Sequence, residues 1–142
     1  MSFSHIVLTV SDLNLSQTFY ENVLSPLGFS VADFQPKNYY RITNGRDMVI
    51  VLSQVEQKYS DIAYHRKGVG LNHFAICVDS KDAVDTFEKH LKTSGIKILG
   101  DGKSYMDYRK GYYSLLFEDP DRIMIEIVWH DNFYFSKENV EA

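Results

Sequence analysis

One stretch of this chain is written twice. HIVLTVSDLNLSQTFYENVL, beginning at His5, recurs as HFAICVDSKDAVDTFEKHL beginning at His73. At the same offset Val10 matches Val78 and Phe19 matches Phe87, and after a slip of one residue Gly28-Phe29 matches Gly95-Ile96. Further on, NYYRITNGRDMVIVL (38–52) echoes GYYSLLFEDPDRIMIEIV (111–128). Two units of this length describe a duplicated module, not a solenoid, whose short units recur many times.

Each copy opens with a strand. Two-residue alternation puts His5, Val7 and Thr9 on one face and Ile6, Leu8 and Val10 on the other. The second copy repeats this, with His73, Ala75 and Cys77 opposite Phe74, Ile76 and Val78. The bulky face is expected to pack on the helix that follows. For the first helix, Asn14 is the expected N-cap, with Leu15, Phe19 and Val23 as its apolar stripe. For the second, Ser80 is the cap, Ala83, Val84, Phe87 and Leu91 form the stripe, and Gly95 lies just past the end. Strands at 29–34, 39–43 and 47–53, then at 96–99, 112–118 and 123–129, complete the copies. Glu118 to Arg122 reads as a tight turn around Pro120.

The expected architecture is α+β, two tandem βαβββ modules within a single domain spanning 1–142. Module one covers 3–54, a polar connection 55–70, module two 71–129 and a tail 130–142. The chain has 142 residues, 44% of them hydrophobic and 24% charged, which is the balance of a water-exposed globular fold. A net charge of -4 argues against a nucleic-acid partner, because phosphate binding needs a basic face. No apolar run reaches the ~20 residues of a membrane span, and the N-terminus lacks the basic region of a secretory signal. The single Cys77 cannot close an internal disulfide. A cytoplasmic protein without a membrane partner is the expectation.

The chemistry concentrates on a few residues. In the strand 123–129 the carboxylate of Glu126 lies between Met124 and Val128, on the face opposite Ile123, Ile125, Ile127 and Trp129. A carboxylate in such company is costly to bury unless it is paired, hydrogen-bonded or bound to a cation. His5 and His73 hold matching positions on the faces turned away from the helices. Two imidazoles and one carboxylate form a ligand set that leaves coordination positions open on an iron, manganese, nickel, cobalt or zinc ion. Taken singly, each residue has a plainer explanation: a solvated or half-buried histidine, or a glutamate facing solvent on an edge strand. Their matched placement in a repeat favours the metal.

HIVLTVSDLNLSQTFY, GLNHFAICVDS and FEDPDRIMIEIV together resemble the vicinal-oxygen-chelate superfamily of glyoxalase I, bleomycin-resistance proteins, fosfomycin-resistance enzymes and extradiol dioxygenases. The resemblance spans roughly residues 3–129. It implies modules whose curved sheets form a metal-binding cleft, with His5, His73 and Glu126 as metal ligands. It also implies a small substrate that chelates the divalent metal through vicinal oxygens, in a lyase, isomerase, transferase or ring-cleaving dioxygenase reaction. Glyoxalase I carries a fourth ligand, a glutamate, at the position that Val51 occupies in this chain. That speaks against glyoxalase I activity, and neither Ser53, Gln54 nor Glu56 fills the place. The turn has Arg122 where the superfamily usually has glycine. Tyr112, Tyr113, Tyr105 and His65 are the candidates for proton transfer, and Tyr113 is expected to echo Tyr40. Against each stands the plainer role of core, rim or linker, as for Arg66 and Lys67 beside His65. A homodimer is expected, since many relatives pair modules across two chains. The alternative function is a metal-free protein that sequesters a small molecule or drug, as bleomycin-resistance proteins do.

Overall fold

The computed structural model describes residues 4–100 and 111–131, Gly100 by its backbone alone. The chain forms two compact units, Met1–Tyr64 with Asp119–Asp121, and His65–Glu118 with Arg122–Ala142. The fold is α+β, and each unit carries one βαβββ module.

In the first unit, β1 (His5–Val10) leads into α1 (Leu13–Leu24), followed by β2 (Ser30–Val31), β3 (Tyr39–Thr43) and β4 (Val49–Gln54). The sheet order is β1-β4-β3-β2, with β1 parallel to β4 and the other pairs antiparallel. As the alternation predicts, Leu8 and Val10 are buried while His5, Val7 and Thr9 are exposed. Ile42, Ile50 and Leu52 join Leu8, Val10, Tyr20, Val23 and Leu24 among the buried apolar residues.

Two expectations for α1 are corrected. Asp12, not Asn14, is the cap: its backbone is extended and its Oδ1 accepts from Leu15 N at 3.0 Å. The buried stripe is Ser16, Tyr20, Val23 and Leu24, while Leu15 is 55% exposed. The stripe shifts because Tyr20 can be buried whole, its hydroxyl donating to Asp119 Oδ2 at 2.9 Å. Burial first, then the Asp119 carboxylate, holds that phenol well above its ordinary pKa. Ser16 is completely buried, and its hydroxyl has no partner among the described residues.

In the second unit, β5 (His73–Cys77) leads into α2 (Lys81–Thr93), then β6 (Ile98–Gly100), β7 (Tyr112–Glu118) and β8 (Met124–His130). The order β5-β8-β7-β6 repeats that of the first sheet, again with one parallel pair, β5 with β8. Ser80 caps α2 as expected, its Oγ accepting from Ala83 N at 3.1 Å. Val84, Phe87 and Leu91 are buried, and the Phe87 ring lies 5.9 Å from that of Phe117 on β7. Burial of a ring that size contributes roughly 2–3 kcal/mol.

The one-residue slip in the repeat is visible in the helix ends. Gly28 and Gly95 both adopt left-handed backbone, with φ of 79° and 72°. Behind them Phe29 N donates to Leu24 O and Ile96 N to Leu91 O. β8 ends at His130, one residue into the expected tail, and 132–142 lie outside the described residues.

Candidate metal centre

Register decides which side chains share a face. β5 lies beside β8 with His73 opposite Met124, Ala75 opposite Glu126 and Cys77 opposite Val128. β7 lies on the other side, with Ser114 opposite Val128 and Leu116 opposite Glu126. One face of the sheet therefore carries His73, Ala75 and Cys77, then Met124, Glu126, Val128 and His130, then Tyr112, Ser114 and Leu116. The opposite face, with Ile76, Ile125, Ile127, Leu115 and Phe117, is buried apolar surface.

Glu126 is only 6% exposed, yet both its carboxylate oxygens are engaged. Tyr112 Oη donates to Oε1 at 2.5 Å. Nε2 of His73 lies 3.2 Å from Oε2. The other ring nitrogen of His73, Nδ1, lies 2.7 Å from Oδ1 of the preceding residue, Asn72. Asn72 in turn donates from Nδ2 to Arg66 O at 3.1 Å, and the Arg66 guanidinium pairs with Glu118 at the end of β7. Ser114, on this same face, is 1% exposed, and its hydroxyl has no partner among the described residues.

His73 and Glu126 fit a divalent cation. A nitrogen and an oxygen ligand, each about 2.1 Å from a metal and at right angles, stand about 3 Å apart. The observed 3.2 Å is close to that spacing. Imidazole and carboxylate are also the donor types that manganese, iron, nickel and zinc accept. His5 belongs to the first unit, where it is exposed and its Nδ1 lies 3.1 Å from Ser4 Oγ. Among the described residues no three or more His, Cys, Asp or Glu side chains gather as a metal-holding group.

The other candidates separate. Tyr112 joins the Glu126 face. Tyr113 turns to the helix side, where it is buried and its hydroxyl donates to Asp85 Oδ1 of α2 at 2.6 Å. That hydrogen bond, then burial, pushes its pKa up to about 12. Its expected place in proton transfer is not supported by this orientation. His65 is exposed and spends Nδ1 on accepting from Lys67 N at 3.2 Å, a local turn contact. Tyr105 lies outside the described residues. The echo of Tyr40 in Tyr113 is out of step by two residues, because Tyr40 pairs with Leu52 and its register counterpart is Leu115, which pairs with Ile127.

The alignment of Val51 with Glu126 agrees with the strand registers. Val51 faces Val7, two residues after His5, as Glu126 faces Ala75, two after His73. Gln54 serves the helix, its amide accepting from Leu13 N and donating to Ser11 O. Glu56 pairs with Lys58 at the surface. Asn72 went unnoticed in the sequence, although an amide directly before a candidate ligand histidine was the available signal.

Known proteins agree with this architecture. The model of the Glyoxalase/Bleomycin resistance protein/Dioxygenase superfamily matches residues 2–127. An uncharacterized protein of Bacillus subtilis (strain 168), YqjT, is 34% identical over 129 residues, covering 87% of this chain and 95% of its own. A crystal structure from Bacillus halodurans, provisionally described as a glyoxalase, aligns with a TM-score of 0.75 and 30% identity, over 87% of this chain and 92% of that one. The fosfomycin resistance protein FosX of Listeria monocytogenes shares the fold, with a TM-score of 0.68 and 20% identity over 96% of this chain and 97% of that one. With a family match across nearly its whole length and the same doubled βαβββ module, this chain belongs to the glyoxalase/bleomycin resistance protein/dioxygenase superfamily.

Proposed function

We propose that this protein is a metal-dependent enzyme acting on a small substrate that chelates a divalent metal through two adjacent oxygens. His5, His73 and Glu126 are the protein ligands in this reading. The observation that carries it is the contact between His73 Nε2 and the buried Glu126 Oε2. A carboxylate so far from water needs compensation, and a cation held with the imidazole supplies it.

A bound divalent ion would contribute Lewis acidity, stabilising negative charge on the substrate oxygens. The chain's own residues orient and protonate. Glu126 accepts a hydrogen bond from Tyr112 at Oε1, and in this reading Tyr112 serves as acid or base toward the substrate. Tyr113 donates to Asp85 on the helix side and His65 accepts from Lys67 N, so neither has a part in this reading. A valine at position 51 leaves a three-residue set, which resembles fosfomycin-resistance enzymes and extradiol dioxygenases more than glyoxalase I. The reaction classes that remain are lyase, transferase and ring-cleaving dioxygenase. A cytoplasmic homodimer is part of the same reading, following the habit of the superfamily.

The test is metal analysis of untagged protein by plasma mass spectrometry, beside Glu126→Ala, His73→Ala and His5→Ala. Near-stoichiometric metal that each variant loses is the expected result. Protein that takes up none of these ions, or variants that retain metal unchanged, would replace this reading with metal-free ligand sequestration.

A further inference from the structure

We infer that Asn72 is a positioning residue that holds the His73 ring in the one neutral tautomer able to present a bare nitrogen toward Glu126. The inference deepens the metal-dependent reading and rests on it.

The argument runs through hydrogen-bond direction. Arg66 O, a carbonyl, only accepts, so the Asn72 atom 3.1 Å from it must be the amide nitrogen. That leaves Asn72 Oδ1 at 2.7 Å from His73 Nδ1. An amide oxygen also only accepts, so Nδ1 carries the hydrogen. In a neutral ring Nε2 then has a lone pair and no hydrogen, and it stands 3.2 Å from a carboxylate oxygen that also only accepts. Two acceptors at that separation repel unless a proton or a cation lies between them. A hydrogen bond to the far nitrogen of a ligating histidine is how outer groups orient metal ligands and raise their basicity.

The amide is itself anchored. Arg66, which offers the carbonyl, is tied by its side chain to Glu118 on β7. The segment before β5 is thus fastened to the sheet on which His73 and Glu126 lie. Among the described residues the first unit shows no matching arrangement at His5. Ser4 precedes His5, and its hydroxyl, 3.1 Å from Nδ1, can donate or accept and so selects no tautomer.

The test joins two readouts on wild type, Asn72→Leu and Asn72→Asp. The first is nitrogen NMR of His73 in metal-free protein held above the ordinary imidazole range. The second is calorimetric titration with manganese or zinc ion alone. In the metal-free ring Asn72 Oδ1 and the Glu126 carboxylate compete for one proton, so wild type is expected to show a larger Nδ1-protonated fraction than Asn72→Leu. Asn72→Leu, which leaves Glu126 as the competing acceptor, should shift the proton toward Nε2 and weaken metal binding by about 10–100-fold. Asn72→Asp, which keeps an acceptor for Nδ1 but loses the bond to Arg66 O, should return the proton toward Nδ1 and recover part of the affinity. An unchanged tautomer and unchanged affinity in Asn72→Leu would overturn the inference. Wild type that binds neither ion would defeat the metal reading, while the NMR comparison would still decide the role of Asn72.

Discussion

The hydroxyl of Tyr112 donates to Oε1 of Glu126 at 2.5 Å, linking the first residue of β7 to the middle of β8. A hydrogen bond to a charged acceptor contributes about 1.5–3 kcal/mol, and the carboxylate is nearly sealed from water. Tyr112→Phe should therefore lower unfolding free energy by about that amount, measured by urea denaturation of metal-free protein. A loss below the error of the measurement would mean that water already satisfies Oε1.

Alkaline pH should act through Tyr113. Its hydrogen bond to Asp85 and its burial raise the pKa from 10.0 to about 12. The folded state thus holds the phenolic proton more tightly than the unfolded chain. The associated stability is complete below pH 10 and disappears as pH climbs toward 12. Tyr113→Phe should flatten the fall in stability across that interval. Identical alkaline profiles for the two proteins would contradict this.

Arg122 has a φ of 67°, the left-handed conformation that glycine adopts without strain. A side chain there costs about 1–2 kcal/mol. Glycine would cost roughly 0.5–1 kcal/mol in unfolded-chain entropy. The exposed contact of Arg122 Nε with Glu118 Oε1, at 3.9 Å, contributes little. Arg122→Gly should accordingly raise the melting temperature slightly, by the equivalent of under ~1 kcal/mol. A lower melting temperature would show that the arginine contributes more than its geometry suggests.

Cys77 should be a sluggish thiol. Partial burial, then the carboxylate of Asp79, raise its pKa, while contacts with His130 and Val78 O only partly oppose this. Alkylation by iodoacetamide near neutral pH should run slower than for a free small-molecule thiol, because the thiolate is the reacting form. A faster rate would mean that His130, whose Nε2 lies 3.6 Å from the sulfur, activates it.

Strand periodicity and the repeat made much of this legible in the sequence. Alternation put His73 on the face away from its helix and Glu126 on the face opposite the isoleucines, and the repeat matched Val51 to Glu126, a match with which the strand registers agree. What escaped depended on polar contacts remote in sequence. Leu15 outranks Ser16 on hydrophobicity, and the bond from Tyr20 to Asp119, which lets the tyrosine be buried with Val23 and Leu24, is remote in sequence. Two adjacent tyrosines in each copy invited an alignment by identity that the hairpin registers displace by two residues. Asn72 gains its role from a carbonyl six residues earlier, a relation no spacing rule anticipates.

In each unit the first strand lies parallel to the last, so no hairpin can bring them together. The intervening helix and two strands lie in the span that must close before β5 can meet β8. Closing that span costs chain entropy, so this pairing is expected to form late in folding. A chain interrupted before β8 would carry His73 without Glu126. On the proposed metal-dependent reading, uptake of a cation through these two residues would report that the second module has been completed.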